Sequence, residues 1–164
     1  MKHPNQIQYA DDMIASVRSG ERRLSAAVRT IAVAEVQALK EDKAFRLQMV
    51  FQATLAHDDQ VADALRRINM ANIDGWTEFG RRSFERLGLT LRPDVDFALL
   101  GCALPAAGEG VMFKTMVPPK GHVTPGPADL LNLIAKALVI ASADPGDGRT
   151  LDETLNELAP RVKS

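Results

Sequence analysis

This chain of 164 residues has few cysteines and aromatic residues, and neither sign of charge is in large excess. The single cysteine, Cys102, cannot form an internal disulfide, so we expect a buried thiol and a reducing, cytoplasmic location. The net charge of −1 excludes nucleic-acid binding by bulk positive charge. The first 19 residues contain no apolar core typical of a secretory signal. The uncharged apolar run at 97–108 is shorter than the ~17 residues of a membrane span, so no membrane contact is expected.

Residues and motifs that carry catalysis or bind metals are also few. His3, His57 and His122 are far apart, and none has a second ligand at helical spacing, so no metal site is predicted. The sequence contains no GxSxG, HExxH or phosphate-binding glycine loop. The pairs Asp11-Asp12 and Asp58-Asp59 are explained by helix capping at helix ends. We therefore predict no cofactor, no catalytic residue and no enzymatic activity.

Helical periodicity, in contrast, runs through almost the whole chain, and no convincing two-residue alternation interrupts it. Helix-capping and helix-breaking residues divide the sequence into seven segments. The predicted helices cover residues 5–18, 24–40, 43–56, 60–87, 94–117, 127–143 and 150–158, with a loop at 118–126. This pattern predicts an all-α antiparallel bundle of six or seven helices that forms a single domain over residues 1–164. Four arginines of the long fourth helix, Arg66, Arg67, Arg81 and Arg82, are interpreted as a solvated face, with phosphate binding as the alternative.

Two asparagines occupy positions where this long helix should be apolar. Asn72 lies between Ile68 and Trp76 in the apolar stripe, and Asn69 lies one turn before Ile73. A buried amide without a partner costs ~1–3 kcal/mol, so each must be paired in the core or face a ligand. Glu109, inside an apolar helix, raises the same choice between an ion pair and a ligand contact. The hypothesis of a ligand cavity assigns it seven residues: Phe51, Asn69, Asn72, Ile73, Trp76, Glu109 and Phe113.

Two helices near the carboxyl end are too apolar for a chain of this length to cover alone. The segment at 94–117 is apolar on nearly every side, and Pro105 should bend it. Small side chains on one side would allow another helix to approach closely. The segment at 127–143 is similarly apolar. We predict that both pair with a second copy across a two-fold axis, while burial within one chain is the alternative. The predicted dimer contacts are Leu100, Leu104, Ala107, Val111, Leu131, Ile134 and Leu138.

Several stretches together resemble the C-terminal regulatory domain of the tetracycline-repressor (TetR) family of bacterial transcriptional regulators. The resemblance covers residues 45–155, and its most family-like points are LRPDVDF at 91–97, the pair Glu109-Gly110 and DLLNLIAKALVIAS at 129–142. It implies an effector-binding and dimerisation domain in which a homodimer binds a small apolar or amphipathic molecule. The DNA-binding head of that family has no counterpart in residues 1–40, so DNA contact is expected only through a head not present in this chain.

Three functions stay open at this point. The leading hypothesis is the ligand-sensing module of a TetR-type regulator. The second is a free-standing dimeric protein that binds a small ligand or another protein and has no DNA role. The third is a helical enzyme that uses Glu109 as a base, which lacks an apparent catalytic partner.

Overall fold

The helices of the computed structural model follow the periodicity of the sequence. The structure describes residues 4–55, 57–116 and 125–158. Within these residues it contains seven helices and two strands of two residues, which confirms the predicted all-α bundle. In chain order they are α1 (Pro4–Arg18), α2 (Leu24–Glu41), α3 (Lys43–Leu55), α4 (Asp59–Leu87), β1 (Thr90–Leu91), α5 (Phe97–Met116), α6 (Pro127–Ser142), β2 (Ala143–Asp144) and α7 (Leu151–Leu158). The predicted helix ends at Ala56 and Val117, and the loop up to residue 124, lie outside the described residues.

Three helix boundaries lie where the sequence predicts them. The Asp58 side chain accepts hydrogen bonds from the backbone N–H groups of Gln60 at 3.0 Å and Val61 at 3.1 Å, and so caps α4. Gly88 ends the same helix at a φ of +67°, a conformation that a residue without a Cβ adopts at low cost. Pro127 occupies the first turn of α6, where its fixed φ suits a helix start. These boundaries follow from local chemistry.

The start of α5 differs from the prediction. It begins at Phe97, three residues after Asp94, because the Asp96 side chain accepts a hydrogen bond from the Leu99 N–H at 2.6 Å and caps the helix there. Asp94 instead accepts the backbone N–H of Leu151 at 2.9 and 3.0 Å, at the first residue of α7. The two aspartates of the LRPDVDF stretch therefore cap two different helices.

Arg92, in the same stretch, is a buried arginine that holds the C-terminal segment. Its Nε donates to the Ala141 carbonyl and its Nη1 to the Arg149 carbonyl, both at 3.0 Å, and Asp147 lies 3.5 Å from Nη1. Beside it, β1 and β2 pair in antiparallel register. Two-residue strands are too short to show alternation in the sequence, and they leave the all-α architecture unchanged.

A buried carboxylate on α1 joins this helix to α4. The interpretation of Asp11 as a capping residue at a helix end is wrong, since it lies in the middle of α1 and is 5% exposed. Its oxygens lie 3.1 Å from Arg82 Nη1 and 3.3 Å from Arg86 Nη1. A buried carboxylate requires such partners because its desolvation is costly. Arg82 is consequently half-buried, whereas Arg66 and Arg81 pair with acids on the exposed side of α4.

Helices α4 and α5 approach each other closely at Gly101. A Cβ at this position would overlap the Thr77 hydroxyl and would lie 2.9 Å from the Ile73 carbonyl oxygen. Only glycine allows the two backbones to approach in this way. Near the other end of the contact, Phe84 and Phe97 meet edge to face, with ring centroids 5.6 Å apart. Together these contacts fix α5 against the long helix.

Candidate functional site

A cavity of about 100 Å³ lies between the α1–α2 pair and helices α4, α5 and α6. The long helix α4 supplies much of its wall, because its apolar positions recur at helical spacing where α1 and α5 pack against it. The connection after α4 adds one leucine. The lining residues are Ile14, Leu24, Val28, Ile31, Ala32, Glu35, Trp76, Phe79, Gly80, Ser83, Phe84, Leu87, Leu89, Leu100, Leu104, Leu131, Ala135, Leu138 and Val139.

Aromatic rings form one part of this wall. Trp76 and Phe79 meet edge to face, with centroids 5.5 Å apart and an interplanar angle of 78°. Phe79 is buried together with Ile14 of α1, and Leu24 and Ile31 of α2 pack against the same cluster. Edge-to-face contact favours one relative orientation of the two rings, so it restricts movement of this part of the wall.

The cavity offers few polar groups to a bound molecule. The Ser83 hydroxyl donates to the Phe79 carbonyl at 2.7 Å, so it already has a partner within its own helix. Glu35 of α2 is the one ionisable residue in the lining, is half-buried and already has an interaction partner. The remaining lining residues present carbon atoms, apart from the Trp76 indole N–H and backbone groups. Such a surface favours apolar ligands, and the Glu35 carboxylate disfavours anions.

The structure does not gather the seven predicted ligand residues into one site. Trp76 lines the cavity, whereas the other six do not. Phe51 on α3 and Phe113 on α5 are exposed, by 42% and 64% respectively. Ile73 contributes its carbonyl oxygen to the packing at Gly101. Glu109 is half-buried and has an interaction partner, so its carboxylate is not isolated.

The two asparagines differ from each other. Asn69 accepts a hydrogen bond from Gln48 Nε2 at 3.1 Å, which joins α3 to α4 and corresponds to the alternative of a paired amide. Asn72 Oδ1 is buried and finds no hydrogen-bond partner among the described residues. Of the two, Asn72 is therefore the one whose polarity the described packing leaves unexplained.

Most of the lining residues were not singled out by sequence reasoning. One signal was available on α2, where Leu24, Val28, Ile31 and Glu35 share one helix face and place an acid in an apolar stripe. This is the same kind of anomaly that marked Asn72 on α4. The cavity itself depends on how five helices meet, which no single stretch of sequence encodes.

The sides of α5 and α6 that face away from the cavity are also apolar, although they are exposed. Leu133 is 65% exposed and Ile140 is 74% exposed. Cys102 is exposed as well, so the prediction of a buried thiol is wrong. We call this surface the α5–α6 outer face; it comprises Leu99, Cys102, Ala106, Gly110 and Phe113 of α5 and Leu133, Ala137 and Ile140 of α6. At helical spacing these residues form one stripe along each helix.

The predicted dimer contacts lie on a different side of the same two helices. Leu100, Val111 and Leu131 are buried within the chain, with 5–6% exposure. Leu104, Leu131 and Leu138 line the cavity together with Leu100. Ala107 packs against a buried cluster that includes Val36, Phe45 and Met112, and Ile134 is half-buried. The outer face is therefore displaced from the predicted contacts by roughly a third of a turn around each helix.

Shifted titrations in the described residues lie mainly in the C-terminal segment, away from the cavity. The backbone N–H of Gly146, together with those of Gly148 and Asp147, lowers the pKa of Asp144. The backbone N–H and hydroxyl of Thr150 lower the pKa of Glu153. These hydrogen bonds favour the charged carboxylates and stabilise the turn and the start of α7. They organise structure and provide no acid–base chemistry at the cavity.

Two further properties bear on the site. Phe97–Thr115 is long and apolar enough to cross a membrane, and a third of it is buried in the structure. Core helices of soluble proteins can have the same length and apolarity. Among the described residues, no group of three or more His, Cys, Asp or Glu side chains could hold a metal ion. No protein-family model, curated protein or solved structure matches the chain.

Proposed function

We propose that this chain is the ligand-sensing and dimerisation module of a TetR-type transcriptional regulator. The observation that carries the proposal is the two-sided use of α5 and α6. Their inner sides contribute Leu100, Leu104 and Leu138 to an apolar cavity, and their outer sides expose a second apolar surface. A ligand on one side and a partner subunit on the other would then contact the same two helices.

The outer face has the chemistry of a subunit interface. Exposed apolar residues scattered singly are ordinary, but here they form a stripe on each of two helices that pack together. The small side chains of Cys102, Ala106 and Gly110 along α5 permit close approach of another helix. An isologous pairing would bring each face against its own copy and close the assembly at two subunits.

The test of the dimer is sedimentation of the wild-type protein over a wide concentration range. We expect a dimer that Leu133→Glu and Ile140→Glu convert to a monomer, because either change buries an unpaired charge at the interface. Val33→Glu is the matched control, since Val33 is 49% exposed on α2, outside the outer face. A wild-type protein that sediments as a monomer at every concentration would refute the dimer.

Cys102 gives a second measurement, because it is the chain's only cysteine. In the dimer its thiol is covered, so alkylation should slow as protein concentration rises. In Ile140→Glu the rate should be fast and independent of concentration. Fast alkylation of a protein that sediments as a dimer would place the interface elsewhere.

The sensing role requires that ligand and partner binding be coupled. A ligand that prefers one arrangement of α5 must change the dimer dissociation constant, typically by about 5- to 150-fold. A dimer that binds ligand without any such change would favour the second candidate, a dimeric ligand-binding protein with no DNA role. One observation already supports that candidate: α1 and α2 pack into the bundle and line the cavity, rather than standing apart from it.

A further inference from the structure

We infer that the cavity binds a neutral hydrocarbon of about one ring, without hydrogen-bonding groups. This deepens the proposed function and rests on it for its biological meaning, although the binding itself can be tested separately. The argument uses the size of the cavity, the chemistry of its wall and the state of its few polar groups.

The size of the cavity limits the ligand to a few carbon atoms. An apolar cavity of ~150 Å³ is known to remain dry and to admit benzene. The present cavity of about 100 Å³ is about two thirds as large and is partly open, so it can cover at most one ring, part of which stays at the opening. The edge-to-face contact of Trp76 and Phe79 resists such movement on one side.

The chemistry of the wall excludes polar and charged ligands of the same size. A hydroxyl or amine would lose its hydration, and the Ser83 hydroxyl, which already donates to the Phe79 carbonyl, could offer only its oxygen as an acceptor in return. An anion would meet the Glu35 carboxylate, and a cation would have to displace the partner that Glu35 already has. Carbon–carbon contact is the interaction that the wall offers in quantity.

The experiment compares benzene, phenol and benzylamine as probes by thermal shift and by titration calorimetry. We expect benzene to bind with a dissociation constant on the order of 0.1–1 mM, which burial of about six carbon atoms supports. Phenol should bind at least about fivefold more weakly, because its hydroxyl gives up its hydration for at most one acceptor, the Ser83 oxygen. Tighter binding of phenol or benzylamine than of benzene would overturn the inference.

Two variants place the binding in the cavity. Ala135→Leu fills it and should weaken benzene binding at least about tenfold. Ala26→Leu makes the same change at an exposed position of α2 and should leave binding unchanged. If Ala135→Leu fails to fold, Val139→Ala enlarges the cavity instead and should favour toluene over benzene by about fourfold for its extra methyl group. Benzene binding that neither cavity variant alters would overturn the assignment.

Failure of this inference and failure of the proposed function have different signatures. Benzene binding with no effect on the dimer would leave the inference standing and remove the sensing role. A dimer that responds to phenol or benzylamine but does not bind benzene would do the opposite.

Discussion

Replacing Gly101 with alanine tests the packing on which the position of α5 depends. The added Cβ would overlap the Thr77 hydroxyl and would lie 2.9 Å from the Ile73 carbonyl oxygen. The threonine side chain can rotate, but the carbonyl belongs to the backbone of α4, so the two helices must separate locally. The fit at this point therefore cannot be restored by a change of rotamer alone.

Two opposing effects decide the magnitude. Alanine gains ~0.8–1 kcal/mol over glycine in helix propensity. Overpacking of a close contact costs ~1–3 kcal/mol, and here both a side chain and a backbone atom are involved, so the upper part of that range applies. We expect Gly101→Ala to lower the free energy of unfolding by ~1–2 kcal/mol, or the melting temperature by about 2–8 °C.

Gly108 is the matched control because it is buried on the same helix. A Cβ there would meet Leu39 Cδ1 at 3.6 Å, an ordinary van der Waals distance. Gly108→Ala should therefore be neutral or should stabilise by up to ~1 kcal/mol. Urea unfolding at low protein concentration measures both variants. Equal stability of Gly101→Ala and Gly108→Ala would refute the packing argument, and Thr77→Ala should partly rescue Gly101→Ala if it is correct.

Three further predictions concern charges outside the cavity. Asp11→Asn should lower the free energy of unfolding by ~2–3 kcal/mol, since two partly buried arginines lose their carboxylate. The control is Asp12→Asn at an exposed position, which should change the free energy of unfolding by less than ~0.5 kcal/mol. Urea unfolding measures both variants. Arg92→Lys removes the guanidinium that binds two carbonyl groups, and a lysine side chain cannot reach both of them. Hydrogen exchange in residues 143–158 should therefore accelerate at least about tenfold, while exchange in α2 stays unchanged. Equal exchange rates of residues 143–158 in the variant and the wild type would contradict this role. Asp144 and Glu153 have lowered pKa values, so the stability they contribute is present above their unfolded pKa of about 4 and is lost as the pH falls through the folded values. The C-terminal segment should therefore lose exchange protection below about pH 4; full protection at lower pH would contradict this account.

The helix boundaries could be predicted from the sequence because their causes are local. Asp58, Gly88 and Pro127 act through the backbone groups of residues within one turn. Asp94 shows where this reasoning ends. The sequence predicted that α5 begins at this residue, but its hydrogen-bond partner is Leu151, 57 positions away, which only the folded chain brings near.

The cavity could be predicted only in part. Trp76 could be predicted because it lies one turn after Asn72, a polar residue in the apolar stripe of α4. Val28 and Ile31, in contrast, have the pattern of any amphipathic helix. Their contribution depends on the packing of α2 across α4 and α6. The sequence also could not tell which side of α5 faces the core: α5 is apolar all round, so its periodicity carries no direction, and the predicted dimer contacts Leu100 and Val111 are buried within the chain.

The position of Gly101 suggests how the two sides of α5 would communicate. Leu100 lines the cavity and Leu99 and Cys102 lie on the outer face, so residues with opposite orientations flank the point where α5 is fixed to α4. Pro105, one turn later, removes the backbone hydrogen bond to the Gly101 carbonyl and weakens the helix there. A ligand that displaces Leu104 would therefore tilt the following turns of α5 rather than translate the whole helix. Such a tilt changes the outer face most at Gly110 and Phe113, so in the proposed dimer the ligand-linked changes should be largest at the carboxyl end of α5.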